Sequence, residues 1–292
     1  MIANMRSGGG RPRLLLAPAV AVMNRLTYPR KFALISLLLA LQLGLVMYLL
    51  TTEMNDRIEF AQKEIQGDQY LRPLRHLFEH ILQSRVLAHA YANGRVSFRP
   101  ELIRKQAEID EDFEASQAID QKLEHILKTT SKFHALKANW LFLRAKLLGL
   151  EASDCDDLHT QLLMDIRALG AHVGNTSNLI LDPDLDSYYV MDAILLKLPQ
   201  SQDLLAQARL LGRKGIVTGK PPTVEERTEF IRLAGLLRSN WEETRKGLDV
   251  AFRNNPAANL KASLEQPLRD HLAATDAFLH AIDSDVIKAH TI

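Results

Sequence analysis

Residues 32–50 form an uninterrupted apolar run, FALISLLLALQLGLVMYLL, of a kind that no solvent-facing helix carries. The run has 19 residues and none of them is charged. At a rise of about 1.5 Å per residue, a helix of this length nearly matches a bilayer hydrocarbon core of about 30 Å. Thr51 and Thr52 can complete the crossing. The sequence therefore predicts a transmembrane helix over residues 32–52.

The charges on either side of this run predict its orientation. Glu53, Asp56 and Glu59 follow the run closely, whereas no acidic residue precedes it. Basic flanks stay in the cytoplasm, so residues 1–31 are expected there and residues 53–292 are expected to be exported. A cleavable signal peptide is the alternative, but the run is too long and no small-x-small site precedes Glu53. The basic residues before the run are Arg6, Arg11, Arg13, Arg25, Arg30 and Lys31.

Composition excludes several classes of function. Among 292 residues, 36 Lys and Arg oppose 35 Asp and Glu, which gives a formal charge of +1 and no basic excess for nucleic acid. Cys155 is the single cysteine, so an intrachain disulfide or a cysteine-rich zinc module is excluded. No nucleophile elbow, phosphate-binding glycine loop or kinase motif is present. We therefore expect no enzymatic activity and no cofactor.

The sequence predicts an all-α bundle over residues 53–292, because apolar residues recur there at spacings of three and four. Turn residues predict about six helices, in an elongated bundle that is either single or built of two stacked modules. The stretch KTTS at 128–131 could split the second helix and give seven, but we interpret it as a kink. With six helices, the last one would return toward the membrane. The predicted helices span residues 53–92, 101–149, 153–181, 184–212, 223–254 and 257–290.

Two segments carry a resemblance to a known family. The first runs from the basic flank through the apolar run and contains the pattern Glu64-x-x-Gly67-x-x-Tyr70-x-x-Pro73-Leu74. The second is GNTSNLILDPDLDSYYVMDAILLKLP, at residues 174–199. Together they resemble the N-terminal sensing region of bacterial methyl-accepting chemotaxis proteins and hybrid sensor histidine kinases.

The resemblance implies a function and a location. It implies a ligand-binding helical bundle, usually dimeric, in the periplasm and anchored in the inner membrane. In that family a second span, a HAMP linker and a signalling domain follow the bundle. The chain departs from this by stopping at Ile292, so we expect either a fragment of a receptor or a protein that signals through a partner.

One motif supports a rival interpretation as a membrane-anchored zinc peptidase. His76, Glu79 and His80 spell H-x-x-E-H, and on a helix the two imidazoles lie one turn apart. Such a pair could bind zinc while the glutamate activates a water molecule. A third ligand is not evident, so packed or solvated histidines are favoured. A single-pass scaffold that binds another protein is the second rival.

Six residues are candidates for ligand binding in the sensor interpretation. Arg85 lies one seam position beyond an apolar stripe. An inward guanidinium could bind a ligand carboxylate, but pairing within the fold or an exposed position is favoured. Asp192 interrupts an otherwise apolar stretch, and it needs a partner if it is buried. The expected ligand is a small molecule or a periplasmic binding protein. The other candidates flank the DPDLD turn and are Asn175, Asn178, Tyr188 and Tyr189.

Overall fold

The computed structural model describes residues 20–218, 223–281 and 284. Every regular element in these ranges is helical, so the all-α prediction is confirmed. Residues 1–19 of the predicted cytoplasmic segment lie outside the described residues. The predicted last helix, 257–290, is described up to residue 281 and at residue 284. The helices, numbered in chain order, are α1 Tyr28–Ala92, α2 Arg99–Leu127, α3 Thr130–Lys146, α4 Ala152–Thr176, α5 Leu185–Asp192, α6 Leu198–Thr218, α7 Val224–Asn254 and α8 Asn259–Ala281.

The chain divides into two compact units between Glu59 and Phe60. The first unit contains the apolar part of α1. This part is long and apolar enough to cross a membrane, and none of its most apolar stretch is buried within the protein. Among the described residues, α1 is the one helix with that property.

The first half of the second unit is an antiparallel four-helix arrangement of α1, α2, α3 and α4. Its core includes Phe113 of α2, whose ring centroid lies 6.2 Å from those of Phe133 and Trp140 of α3. Ser84 of α1 lies against His159 of α4, with 3.1 Å between Oγ and Nε2. Apolar stripes on the four helices therefore bury one another, as their spacing predicts.

Residues 128–131 are a helical hairpin, so the predicted kink is wrong and the alternative split is correct. Lys128 adopts a left-handed conformation with φ of 53°, which ends α2 and reverses the chain. Thr129 is fully buried in the turn, and its hydroxyl donates to Asp120 Oδ1 at 2.6 Å. A buried carboxylate must be hydrogen-bonded, so Asp120 stabilises the reversal.

The second half of the unit has a separate core built by α6, α7 and α8. A π-helical turn at Ala193–Lys197 joins α5 to α6, and the joined helices run antiparallel to α7. Ser201 donates to Asn240 Oδ1 at 2.8 Å, and Asn255 donates to Asp186 Oδ2 at 2.9 Å. The buried members of this core are Leu204, Ala208, Phe230, Leu233, Ala234, Leu237 and Leu279.

The last helix does not return antiparallel to α1, contrary to the prediction from six helices. Leu279, near the end of α8, packs in the core that contains Leu204, whereas Lys261 lies beside Arg253 at the end of α7. The helix α8 is therefore antiparallel to α7 and parallel to α6. The helices α1 and α6 are also parallel, because Phe78 lines one groove with Gln202 while Val86 lines the next with Arg209. Because of the additional hairpin at 128–131, every later helix runs in the opposite direction to the one that the six-helix prediction gives it.

Candidate functional site

The two segments that carry the family resemblance meet in the fold. Gly67 of α1 faces Ser177, and a Cβ built on Gly67 would lie 2.5 Å from Ser177 Cβ. One turn earlier, Glu64 lies near Asp182 and Asp184. Burial, reinforced by the charges of these two carboxylates, raises the pKa of Glu64. The glycine in the first motif thus permits close approach of the turn in the second.

Arg85 points inward and is paired within the fold, which is one of the two alternatives that the sequence favours. Its side chain is 9% exposed, and Nη1 lies 3.5 Å from Asp203 Oδ1 of α6. Its Nε lies 3.9 Å from Asp156 Oδ1 of α4, and His89 Nδ1 lies 2.7 Å from Asp156 Oδ2. Arg85, His89 and Asp156 line a cavity of about 240 Å³. Two carboxylates therefore already balance the Arg85 charge.

The candidates around the DPDLD turn do not share a site with Arg85. Asn175 is exposed near the end of α4, and Asn178 ends that segment with φ of 67°. Asp192 is half-buried at the end of α5, where its negative charge acts on Lys197. The partners of Arg85 are Asp156 and Asp203.

The paired tyrosines contribute to packing between helices. Tyr188 and Tyr189 are half-buried, and their rings lie edge to face with centroids 5.2 Å apart. Tyr189 packs on α7 at Gly247, where an added Cβ would lie 2.8 Å from its ring. The small residue on α7 thus makes room for an aromatic side chain of α5.

The residues of the H-x-x-E-H motif do not converge on a common point. His76 is exposed, and Glu79 is exposed and accepts a hydrogen bond from Gln83. His80 instead contacts α2, with 2.6 Å between its Nδ1 and Asp112 Oδ2. In the described ranges, no three His, Cys, Asp or Glu side chains are arranged to hold a metal ion.

One cluster contains the residue types of a nucleophilic site but lies in the hydrophobic core. It consists of Ser84, Cys155 and His159, which are fully buried. His159 Nδ1 lies 2.7 Å from the Cys155 carbonyl oxygen, so Nδ1 carries the proton and Nε2 accepts from the Ser84 hydroxyl. Burial raises the pKa of Cys155 to about 12 and lowers that of His159 to about 4. Both groups are therefore neutral near pH 7, and they serve packing.

A groove of about 390 Å³ lies between α1, α4 and the segment around the π-helical turn. Its volume falls in the range of about 300–1,000 Å³ that is usual for small-molecule sites. Gly170 leaves the floor open, since an added Cβ there would meet Leu71, Leu74 and Leu195 only at 3.7–3.8 Å. The apolar lining, which forms the floor of the groove, consists of Leu71, Leu74, Phe78, Ile166, Ile194, Leu195 and Pro199.

Two exposed arginines line the same groove, Arg75 on α1 and Arg167 on α4. Neither makes a hydrogen bond or an ion pair to another described side chain. A third arginine, Arg72, is bound by Asp68, whose Oδ2 accepts from its Nε at 2.9 Å and from its Nη2 at 2.7 Å. The groove therefore combines an apolar floor with two uncompensated positive charges.

Sequence reasoning missed this groove, although a partial signal exists. Arg75 follows the stripe residue Leu74, and Arg167 follows the stripe residue Ile166. A charge beside each of two stripes indicates a common site only when the two helices are known to be neighbours. The alignment of α1 with α4 depends on tertiary contacts that no local pattern encodes.

Among the described side chains, the groove is an arrangement that can bind a small molecule. The groove presents apolar surface and guanidinium donors, while the Ser84 and His159 pair is enclosed. No protein-family model, curated protein or solved structure matches the chain. The chemistry of its own side chains is therefore the basis for a function.

Proposed function

We propose that this chain is the membrane-anchored, extracytoplasmic sensor region of a bacterial signalling receptor of the chemoreceptor or sensor-kinase type. The N-terminus lies in the cytoplasm, residues 32–52 cross the inner membrane, and the bundle faces the periplasm as a homodimer. The bundle binds a small solute, directly or with a periplasmic binding protein. Binding displaces a helix, and the displacement is the signal.

The observation that carries this proposal is the composition of α1. One helix of 65 residues contains both the exposed apolar stretch and a stripe of core residues of the bundle. Leu74, Phe78 and Ile81 are buried at 4% exposure or less. A change in the packing of this helix within the bundle is a change in the helix that carries the anchor.

The groove supplies a means to change that packing. A solute in it contacts α1, α4 and the segment around Ala193–Lys197 at the same time. A ligand shifts an equilibrium between two packings by as much as its affinity for them differs. Short π-helical turns within α-helices occur frequently at functional sites, and this one contributes Ile194 and Leu195 to the groove. Small helix shifts are an established mode of switching.

The export part of the proposal is tested by reporter fusions after residue 150, in the connection between α3 and α4. Alkaline phosphatase is active only after export, and green fluorescent protein fluoresces when it folds in the cytoplasm. We expect the phosphatase fusion to be active and the fluorescent fusion to be dark. The opposite pair of results contradicts the proposal.

A charge-reversal control ties the result to the proposed cause. Arg25, Arg30 and Lys31 are changed to Glu, and Glu53, Asp56 and Glu59 are changed to Lys in the same chain. Because basic residues favour the cytoplasmic side, this variant should reduce phosphatase activity and raise fluorescence. Unchanged reporters in this variant would show that the flanking charges do not set the topology.

A further inference from the structure

We infer that the groove between α1 and α4 binds a small monocarboxylate with an apolar body. This inference rests on the proposed function of the chain as a solute sensor, and it names the chemical class of the solute. The apolar body occupies the floor of the groove and the carboxylate lies between Arg75 and Arg167.

The floor selects for an apolar ligand body. Leu74, Phe78 and Ile166 line the groove but are each at most 4% exposed. Its accessible apolar surface therefore comes mainly from the other lining residues, of which Leu71, Leu195 and Pro199 are half-buried. Ile194 on its lip is 50% exposed. Covering such surface is favourable by about 25 cal/mol for each Å² removed from water. A dicarboxylate without an apolar body would leave this surface uncovered.

The charges select for a single anionic group. Asp68 already neutralises Arg72 through two hydrogen bonds, which leaves Arg75 and Arg167 as the uncompensated charges of the lining. Guanidinium groups bind carboxylates with charge-assisted and frequently bidentate hydrogen bonds. An amine would be repelled by both arginines, and a free amino acid would bring such an amine next to its carboxylate.

The groove geometry gives a way to block the site without removing a charge. Gly170 lies on the floor, and a Cβ there would be in ordinary van der Waals contact with Leu71, Leu74 and Leu195. A longer side chain at this position extends into the groove. Gly170→Leu should therefore exclude the apolar body while both arginines remain.

The test uses the full chain in phosphatidylcholine nanodiscs and isothermal titration calorimetry. The probes are 4-phenylbutyrate, its neutral analogue 4-phenylbutyramide and its cationic analogue 4-phenylbutylamine, and empty nanodiscs correct for partitioning into lipid. We expect the carboxylate to bind at least about tenfold more tightly than the amide, the fold-change for one charge-assisted hydrogen bond. The amine should not bind measurably.

Variants locate the binding. Arg75→Gln and Arg167→Gln should each weaken binding of 4-phenylbutyrate about tenfold, and Gly170→Leu should abolish it. Arg238→Gln is the matched control, because Arg238 is an exposed arginine of α7 that does not line the groove. Thermal unfolding of each variant verifies that it folds. If Gly170→Leu fails to fold, the double variant of Arg75 and Arg167 decides the outcome.

Three results overturn the inference. They are absence of 4-phenylbutyrate binding, equal affinity for the amide, and unchanged affinity in the double Arg75 and Arg167 variant. None of them affects the reporter fusions, so the ligand class and the export of the bundle fail separately.

Discussion

Tyr70 donates a hydrogen bond of 2.7 Å from its hydroxyl to Asp120 Oδ1, and both side chains are almost fully buried. Thr129 donates to the same oxygen at 2.6 Å. One carboxylate thus joins α1, α2 and the turn that begins α3. Burial and the neighbouring carboxylate of Asp120 raise the pKa of Tyr70, so its hydroxyl remains a donor.

Removing the Tyr70 hydroxyl should destabilise the bundle. Tyr70→Phe leaves the buried Asp120 carboxylate with one donor fewer, and we expect a loss of about 1–3 kcal/mol in the free energy of unfolding. Urea denaturation of the full chain measures this. Tyr91→Phe is the control, since Tyr91 is half-buried against the same core and makes no hydrogen bond through its hydroxyl to a described residue. Equal losses in the two variants would contradict the role of Asp120.

Alanine substitution should destabilise the protein at one glycine and stabilise it at two others. Gly67→Ala forces a Cβ into Ser177, whose own Cβ would be 2.5 Å away, so we expect destabilisation of about 1–3 kcal/mol. At Gly170 the new contacts are 3.7 Å or longer, and at Gly235 the space is open. Those two variants should gain about 0.5–1 kcal/mol, because alanine favours the helix. Thermal and urea unfolding report the order, and a neutral Gly67→Ala would show that α1 and the turn are farther apart.

The bundle should lose stability in mild acid because of His159. Burial and the positive charge of Arg85 lower its pKa from 6.5 to about 4 in the folded chain. Between these values the unfolded chain binds a proton that the folded chain does not, so the free energy of unfolding falls as the pH drops from 6.5 toward 4. The loss should approach about 3 kcal/mol.

His159→Gln tests this, because glutamine does not titrate. Urea midpoints measured from pH 7 to pH 4 should fall more steeply for the parent chain than for the variant. Parallel curves would show that the folded chain protonates His159 as readily as the unfolded chain does, so that its pKa is not lowered by folding.

Replacing Arg85 should cost more than replacing an exposed arginine. Arg85→Met leaves Asp156 and Asp203 without their guanidinium partner, at side-chain exposures of 22% and 18%. We expect destabilisation of about 3 kcal/mol. Arg104→Met is the control, because the Arg104 side chain is 68% exposed and its ion pairs should contribute less than about 1 kcal/mol. Similar urea midpoints for the two variants would show that the Arg85 pairs are not structural.

Some features of this fold can be predicted from the sequence, and others depend on tertiary contacts. Periodicity and turn residues predict the helices because they are local properties. The position of Arg85 beside a stripe leaves open whether it is exposed or paired within the fold, because that depends on the facing helices. The sequence leaves a kink and a split at residues 128–131 both open, because the choice depends on the burial of Asp120, which looks like an ordinary surface charge in its own helix. The groove likewise needs Leu195 to be placed beside Gly170 by a π-helical turn that has no sequence signature.

Cys155 should be inert in the native chain. It is fully buried, and burial raises its thiol pKa to about 12, so little thiolate is present near pH 7. A maleimide should leave the native protein unmodified and label it stoichiometrically in urea. Rapid labelling without denaturant would show that the core around α4 opens.

The inertness of Cys155 permits a direct test of the central claim, that the bundle is an exported solute sensor. Thr27→Cys and Ile194→Cys place a single reactive thiol before the apolar run and on the lip of the groove. Intact spheroplasts are treated with a membrane-impermeant maleimide, with and without 4-phenylbutyrate. We predict that position 194 is labelled in intact spheroplasts and more slowly with the carboxylate, and that position 27 is labelled only after lysis. Labelling of position 194 only after lysis contradicts the account.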